Sequence, residues 1–173
     1  MSRRAKPRPR NAGSVHTPLI FTVAFVIAVS LPVGLLALAS RIAAAGNLEN
    51  TLMNFARFGY ALIPLDIAAH LAHNLFHLLA EGSLVFSTVA SMFGAAPADG
   101  ATPLASPGVI LILQMTVLAL GVAGSAYTIG RISQRRYGSL ARRRATTVPF
   151  MVLLGILSAI NVYLFMLPMA HRM

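Results

Sequence analysis

Residues 58–82 read FGYALIPLDIAAHLAHNLFHLLAEG. Five ionisable side chains interrupt this apolar run: Asp66, His70, His73, His77 and Glu81, at offsets 0, 4, 7, 11 and 15. At about 100° per residue they share one face of a helix, within an arc of roughly 80°. Asn74 lies at the edge of that arc. Each such group at bilayer depth costs on the order of 3 kcal/mol. The five must therefore face one another, a metal or haem, or water. Pro64 lacks the amide that would bond the carbonyl of Tyr60, so a helix starts or kinks there. Asp66 then falls in the first turn, where the helix dipole favours a carboxylate.

The rest of the chain sets the surroundings of this segment. Of 173 residues, 57% are hydrophobic and 10% charged, and the mean hydropathy is +0.74. Soluble domains carry about a quarter charged residues, so the composition is that of an integral membrane protein. The four acids are Glu49, Asp66, Glu81 and Asp99, and two of them belong to the stripe. The net charge of +10 comes mainly from two clusters flanking apolar runs. One is Arg3, Arg4, Lys6, Arg8 and Arg10; the other is Arg131, Arg135, Arg136, Arg142, Arg143 and Arg144. Such clusters mark cytoplasmic loops and meet anionic lipid head groups rather than nucleic acid. Cysteine is absent, so this chain alone offers no disulfide, no thiol catalysis and no iron–sulfur ligation.

These patterns predict an all-α, polytopic membrane helix bundle. A basic tail over 1–17 precedes a single transmembrane domain over 18–173. Four strong spans are expected, at about 18–40, 58–80, 108–130 and 148–169. The first carries Ala37-Leu38-Ala39, which also fits a signal cleavage site. An amphipathic connector is expected over 41–57, and a Pro/Gly loop over 95–107. The stretch 82–96 reads as a fifth short crossing, a re-entrant piece, or a continuation of the stripe helix. Four spans put the two basic clusters on opposite sides of the membrane, whereas the positive-inside rule favours the same side. The loop at 131–147 is the firmer cytoplasmic element. Two small-xxx-small pairs, Gly121/Ser125 and Ala126/Gly130, permit close helix packing in the third span.

Histidine ligates haem iron, copper and zinc through a neutral ring nitrogen. His73 and His77, four apart, can reach one ion from one face. His70 and His77 are about 10.5 Å apart along a helix axis, so they serve separate centres unless the helix breaks. A bis-histidine haem needs a ligand from a facing helix, and only His16 and His171 remain, at the ends of spans. Asp66 and Glu81 can set the tautomer or raise the basicity of neighbouring imidazoles. An Asp/His/Glu series on a membrane helix also describes a proton path or a quinone site, where protons are taken up on quinol oxidation. Gln114, Asn161 and Tyr163 are candidates to complete the stripe's hydrogen bonds. A second, softer ligand set is Met166, Met169, His171 and Met173, of a kind that suits copper(I).

The segments RFGYALIPLDIAAHLAHNLFHLLAEG (57–82) and LSAINVYLFMLPMAHRM (157–173) resemble the membrane part of bacterial polyferredoxin-like, quinol dehydrogenase-type proteins. The likeness covers less than a third of the chain, and that family's cysteine clusters are missing. It implies a membrane module that works beside a separate ferredoxin-type subunit.

The expected function is therefore that of an integral subunit of the bacterial inner membrane, in electron transfer or quinol interaction. The cofactor-binding candidates are His70, His73, His77, Asp66 and Glu81; the metal candidates are His70, His73, His77, Met169 and His171. Haem, copper or quinone would be the cofactor, and the partners would be lipid and other membrane or ferredoxin-type redox subunits. Two alternatives stand beside it: a membrane metal-handling protein, and an assembly subunit of a larger complex.

Overall fold

The computed structural model describes residues 16–94 and 103–167. The basic tail, most of the Pro/Gly loop and the Met169–His171 ligand set lie outside those residues. Every regular element among the described residues is a helix: α1 (His16–Asn47), α2 (Thr51–Ala61), α3 (Ile63–Met92), α4 (Pro107–Arg136) and α5 (Leu140–Met166). Three of them, α1, α4 and α5, are long and apolar enough to cross a membrane. The number is four if the bent pair α2 and α3 forms one span.

The chain divides into two compact units between Leu35 and Leu36, so α1 contributes to both. In the first unit α1 is a run of apolar residues broken only by Thr22, Ser30 and Pro32. The Thr22 hydroxyl returns its proton to the Pro18 carbonyl at 2.8 Å, which lets a polar side chain sit on an apolar helix.

In the second unit α1 continues to Asn47. It stops because Leu48 turns into the left-handed region, φ 62°, with its amide bonded to the Ala44 carbonyl at 3.1 Å. Asn50 then caps α2, its side chain accepting the amide of Leu52 at 2.8 Å. The connector expected over 41–57 is thus the end of α1, a turn at 48–50 and most of α2.

A break at Leu62 bends α2 and α3 by 43°. Pro64 lies in the first turn of α3, as its missing amide requires, and Asp66 follows in the same turn. Residues 82–92 do not form a separate helix; they extend α3 without interruption to Met92.

α3 packs most extensively on α4. Leu65, Ala68 and Ala72 make its inner face. Opposite them α4 buries Ile110, Gln114, Leu118, Gly121, Ser125, Ile129 and Ser133, every third or fourth residue. The approach is close enough that a Cβ on Gly121 would lie 2.8 Å from the Pro64 carbonyl oxygen and 3.2 Å from the Leu65 Cα. Gly124 sits against the Pro64 ring. Small residues let two backbones touch, which is how helices adhere where lipid removes the hydrophobic drive. Of the two small-residue pairs read in the sequence, Gly121/Ser125 makes this contact, while Gly130 faces open space. On the α2–α5 side, Phe58 stacks on Phe150 with ring centroids 4.1 Å apart.

Candidate functional site

The inner face of α3 is filled by Leu65, Ala68 and Ala72, and the ionisable stripe points about 150° away from it at 100° per residue. All five stripe residues are exposed on the chain. The Asp66 and His70 side chains are each 76% exposed, His77 48% and Glu81 59%. The expected one-sided arc is present, and it faces away from α4, the helix that α3 packs on.

Along the arc the groups pair at helical spacing. His70 Nε2 stands 3.8 Å from Asp66 Oδ1, and His77 Nδ1 stands 3.3 Å from Glu81 Oε2. The His73 and His77 rings meet edge to face at 5.2 Å, and Phe76 flanks His77 at 5.7 Å. Two imidazole–carboxylate pairs thus bracket His73. Among the described residues, no group of three histidine, aspartate or glutamate side chains converges so as to hold a metal ion. One copy of the chain therefore offers neighbouring pairs, and further ligands would come from elsewhere.

The polar residues expected to complete the stripe do other work. Gln114 Nε2 donates to the Ala72 carbonyl at 3.0 Å, tying α4 to the inner side of α3. Asn161 donates to the Leu157 carbonyl within α5 at 2.9 Å, and Tyr163 is exposed. The two amides are thus spent on backbone carbonyls, because a membrane helix must satisfy its donors locally.

A second polar cluster, not anticipated from the sequence, closes the arginine end of the bundle. Asn47 Nδ2 lies 3.1 Å from Asn54 Oδ1, 3.0 Å from Tyr137 Oη and 3.0 Å from Thr146 Oγ1. The two hydroxyls accept from Asn47 and pass on their own protons: Tyr137 to Glu49 at 2.9 Å and Thr146 to the Arg142 carbonyl at 2.9 Å. Arg57 at 2.5 Å and Arg136 at 2.8 Å also hold the Glu49 carboxylate. Partial burial pushes the Glu49 carboxyl up. The hydrogen bonds from Arg136, Tyr137 and Arg57 outweigh that and bring it down to about 2. Burial and the Glu49 carboxylate both raise the Tyr137 phenol. The cluster joins α1, α2, the α4–α5 turn and α5, so its role is to lock that end. Its signal in sequence was faint: Glu49 is one of only two acids outside the stripe.

Set against known protein families, curated proteins and solved structures, the chain matches no family, and no curated protein or solved structure is similar to it.

Proposed function

We propose that the chain is a multi-pass subunit of a bacterial inner-membrane complex for quinol-linked electron transfer, and that α3 is the wall it contributes to the reactive site. The observation behind this reading is the direction of the stripe. Ionisable groups on an apolar helix face outward, and the opposite face of that helix is already filled. A second polypeptide in the membrane must therefore cover them with polar surface.

Oxidation of a quinol to a quinone releases two electrons and two protons. The protons pass to His70 and His77, whose imidazolium forms Asp66 and Glu81 stabilise. A haem or iron–sulfur centre carried by the partner would supply the electron acceptor. The resemblance of 57–82 and 157–173 to polyferredoxin-like membrane modules supports a ferredoxin-type partner, which brings the clusters that a cysteine-free chain lacks. His70, His73 or His77 would hold any haem or metal at this site, with the remaining ligands supplied by that partner. In this reading α2 and α3 count as one span, giving four, and the arginine loop is cytoplasmic.

The test is quinol oxidation by membranes carrying His70→Ala or His77→Ala, with chain abundance and the optical spectrum of the complex measured alongside. Loss of an acid–base group predicts a fall of roughly 100-fold at unchanged abundance. Normal oxidation in both variants would sink the reading. The outward stripe also favours a docking role without proton chemistry. In that case the variants release the partner, while whatever complex remains keeps its full turnover.

A further inference from the structure

Three contacts set the register of α3 on α4. The Leu65 amide donates to Ser125 Oγ at 3.0 Å, Gln114 reaches the Ala72 carbonyl at 3.0 Å, and the Leu104 amide donates to the Leu79 carbonyl at 2.8 Å. Arg131, whose guanidinium lies over the Tyr127 ring at 6.0 Å, marks one membrane surface on α4. At 1.5 Å per residue, Ser125 lies about 9 Å inward of Arg131 and Gln114 about 25 Å. The hydrocarbon core is about 30 Å thick.

Asp66, beside Leu65, thus sits about 10 Å inside the arginine-side surface, about a third of the way across the core. His70 and His73 lie progressively deeper toward the far side. His77 and Glu81 reach the level where α4 begins, at the surface opposite the arginine loop. The stripe runs from about 10 Å inside the arginine-side surface to the opposite surface and does not reach the arginine side. Between Asp66 and the arginine end, α3 and the last turn of α2 offer Pro64, Ile63, Leu62 and Ala61.

We infer that the stripe is a one-sided proton path: it opens to water at Glu81, on the face opposite the arginine loop, and ends at Asp66, about 10 Å short of the arginine-side surface. Protons move along it by exchange between neighbouring groups. Glu81 and His77 are one such pair, His77 and His73 another, and His70 and Asp66 a third; the step from His73 to His70, three residues along the helix, is carried by water. The inference rests on the proposed reading only in that a partner covers the stripe; it adds which side of the membrane exchanges the protons.

The absence of cysteine makes the test direct. Single variants Glu81→Cys, His77→Cys, His73→Cys, His70→Cys and Asp66→Cys are made in the full chain, in membranes holding the assembled complex. Gly138→Cys marks the arginine side, where a side chain has open space, and Ile67→Cys serves as a lipid-facing control. A membrane-impermeant thiol reagent is applied to vesicles of each orientation. Glu81→Cys and His77→Cys should react only from the side opposite Gly138→Cys. His73→Cys, His70→Cys and Asp66→Cys should react from that same side, more slowly, but roughly tenfold faster than Ile67→Cys.

Labelling of Glu81→Cys from the Gly138→Cys side overturns the direction. Rates at His73→Cys and His70→Cys no faster than Ile67→Cys overturn the path, and these two decide the matter if Asp66→Cys does not accumulate. Labelling needs no electron transfer, so failure of the quinol reading and failure of the path are separate results.

Discussion

The hydroxyl of Ser125 on α4 accepts the backbone amide of Leu65 at 3.0 Å, so a neighbouring helix caps the first turn of α3. Leu62 at the N-cap supplies no side-chain bond, and the first amides of a helix have no partner within it. Ser125→Ala leaves that buried donor unpaired. The expected loss is about 1 kcal/mol. It is read as a drop in the temperature at which the detergent-solubilised chain loses its single elution peak. An unchanged temperature would mean that the amide finds another acceptor.

Gly121 and Gly130 make a matched pair for testing the α3–α4 contact. A methyl on Gly121 meets Ala68, the Pro64 carbonyl oxygen and the Leu65 Cα, whereas a methyl on Gly130 meets nothing within 4 Å. Gly121→Ala should cost about 1–3 kcal/mol through overpacking. Gly130→Ala should leave the transition where it is. Equal behaviour of the two variants would argue against the close approach.

Glu49 predicts a pH dependence with a definite sign. Its carboxyl titrates near 2 in the folded chain against 4.5 for an unconstrained glutamate. A lowered folded value means that the ionised carboxylate stabilises the fold. That contribution is complete above pH 4.5 and disappears as the pH falls to about 2. Glu49→Gln should cost about 1–2 kcal/mol at pH 7, allowing for solvent screening of the partly exposed arginines. The gap between wild type and variant, followed by thermal unfolding in detergent, should close toward pH 2 to 3. A gap that is constant with pH would remove Glu49 as the charged centre of the lock.

The stripe should be separable from the fold. Asp66, His70 and His77 are exposed and pair along α3 itself, so leucine at any of them should shift stability by no more than about 0.5 kcal/mol. The same variants should abolish quinol-dependent turnover in membranes. A loss of several kcal/mol in the isolated chain would instead place the stripe inside the bundle.

The helical content was legible from the apolar runs, and the start of α3 from Pro64 alone. The arc of Asp66, His70, His73, His77 and Glu81 followed from the helical period. Its direction did not. In water the polar face of a helix is the outer one, but in lipid polarity no longer decides, and smallness does. The informative residues were Ala68 and Ala72 on α3 with Gly121 and Gly124 on α4, whose sizes match across the contact. The lock around Asn47 was harder to foresee, because Asn54, Tyr137 and Thr146 come from three segments up to 99 residues away. No local pattern links them. Gln114 misled for a related reason: its amide satisfies a backbone carbonyl on the inner side of α3 instead of the stripe.

Where Gly121 and Gly124 of α4 meet Pro64, Leu65 and Ala68, α3 lies on α4 through backbone and small groups, with little room for α3 to turn about its axis. Hiding the stripe would need a rotation of well over a quarter turn, driving Asp66 or His70 into the space that Ala68 and Gly121 leave too narrow. The display of the stripe is therefore permanent from the moment of insertion. If, as proposed, a partner covers the stripe, a copy made without it would stand in the bilayer as an orphan with a polar flank, open to capture by membrane proteases or by the wrong helix. On the proposed reading the abundance of the chain is tied to that of its partner, and the two are synthesised in step.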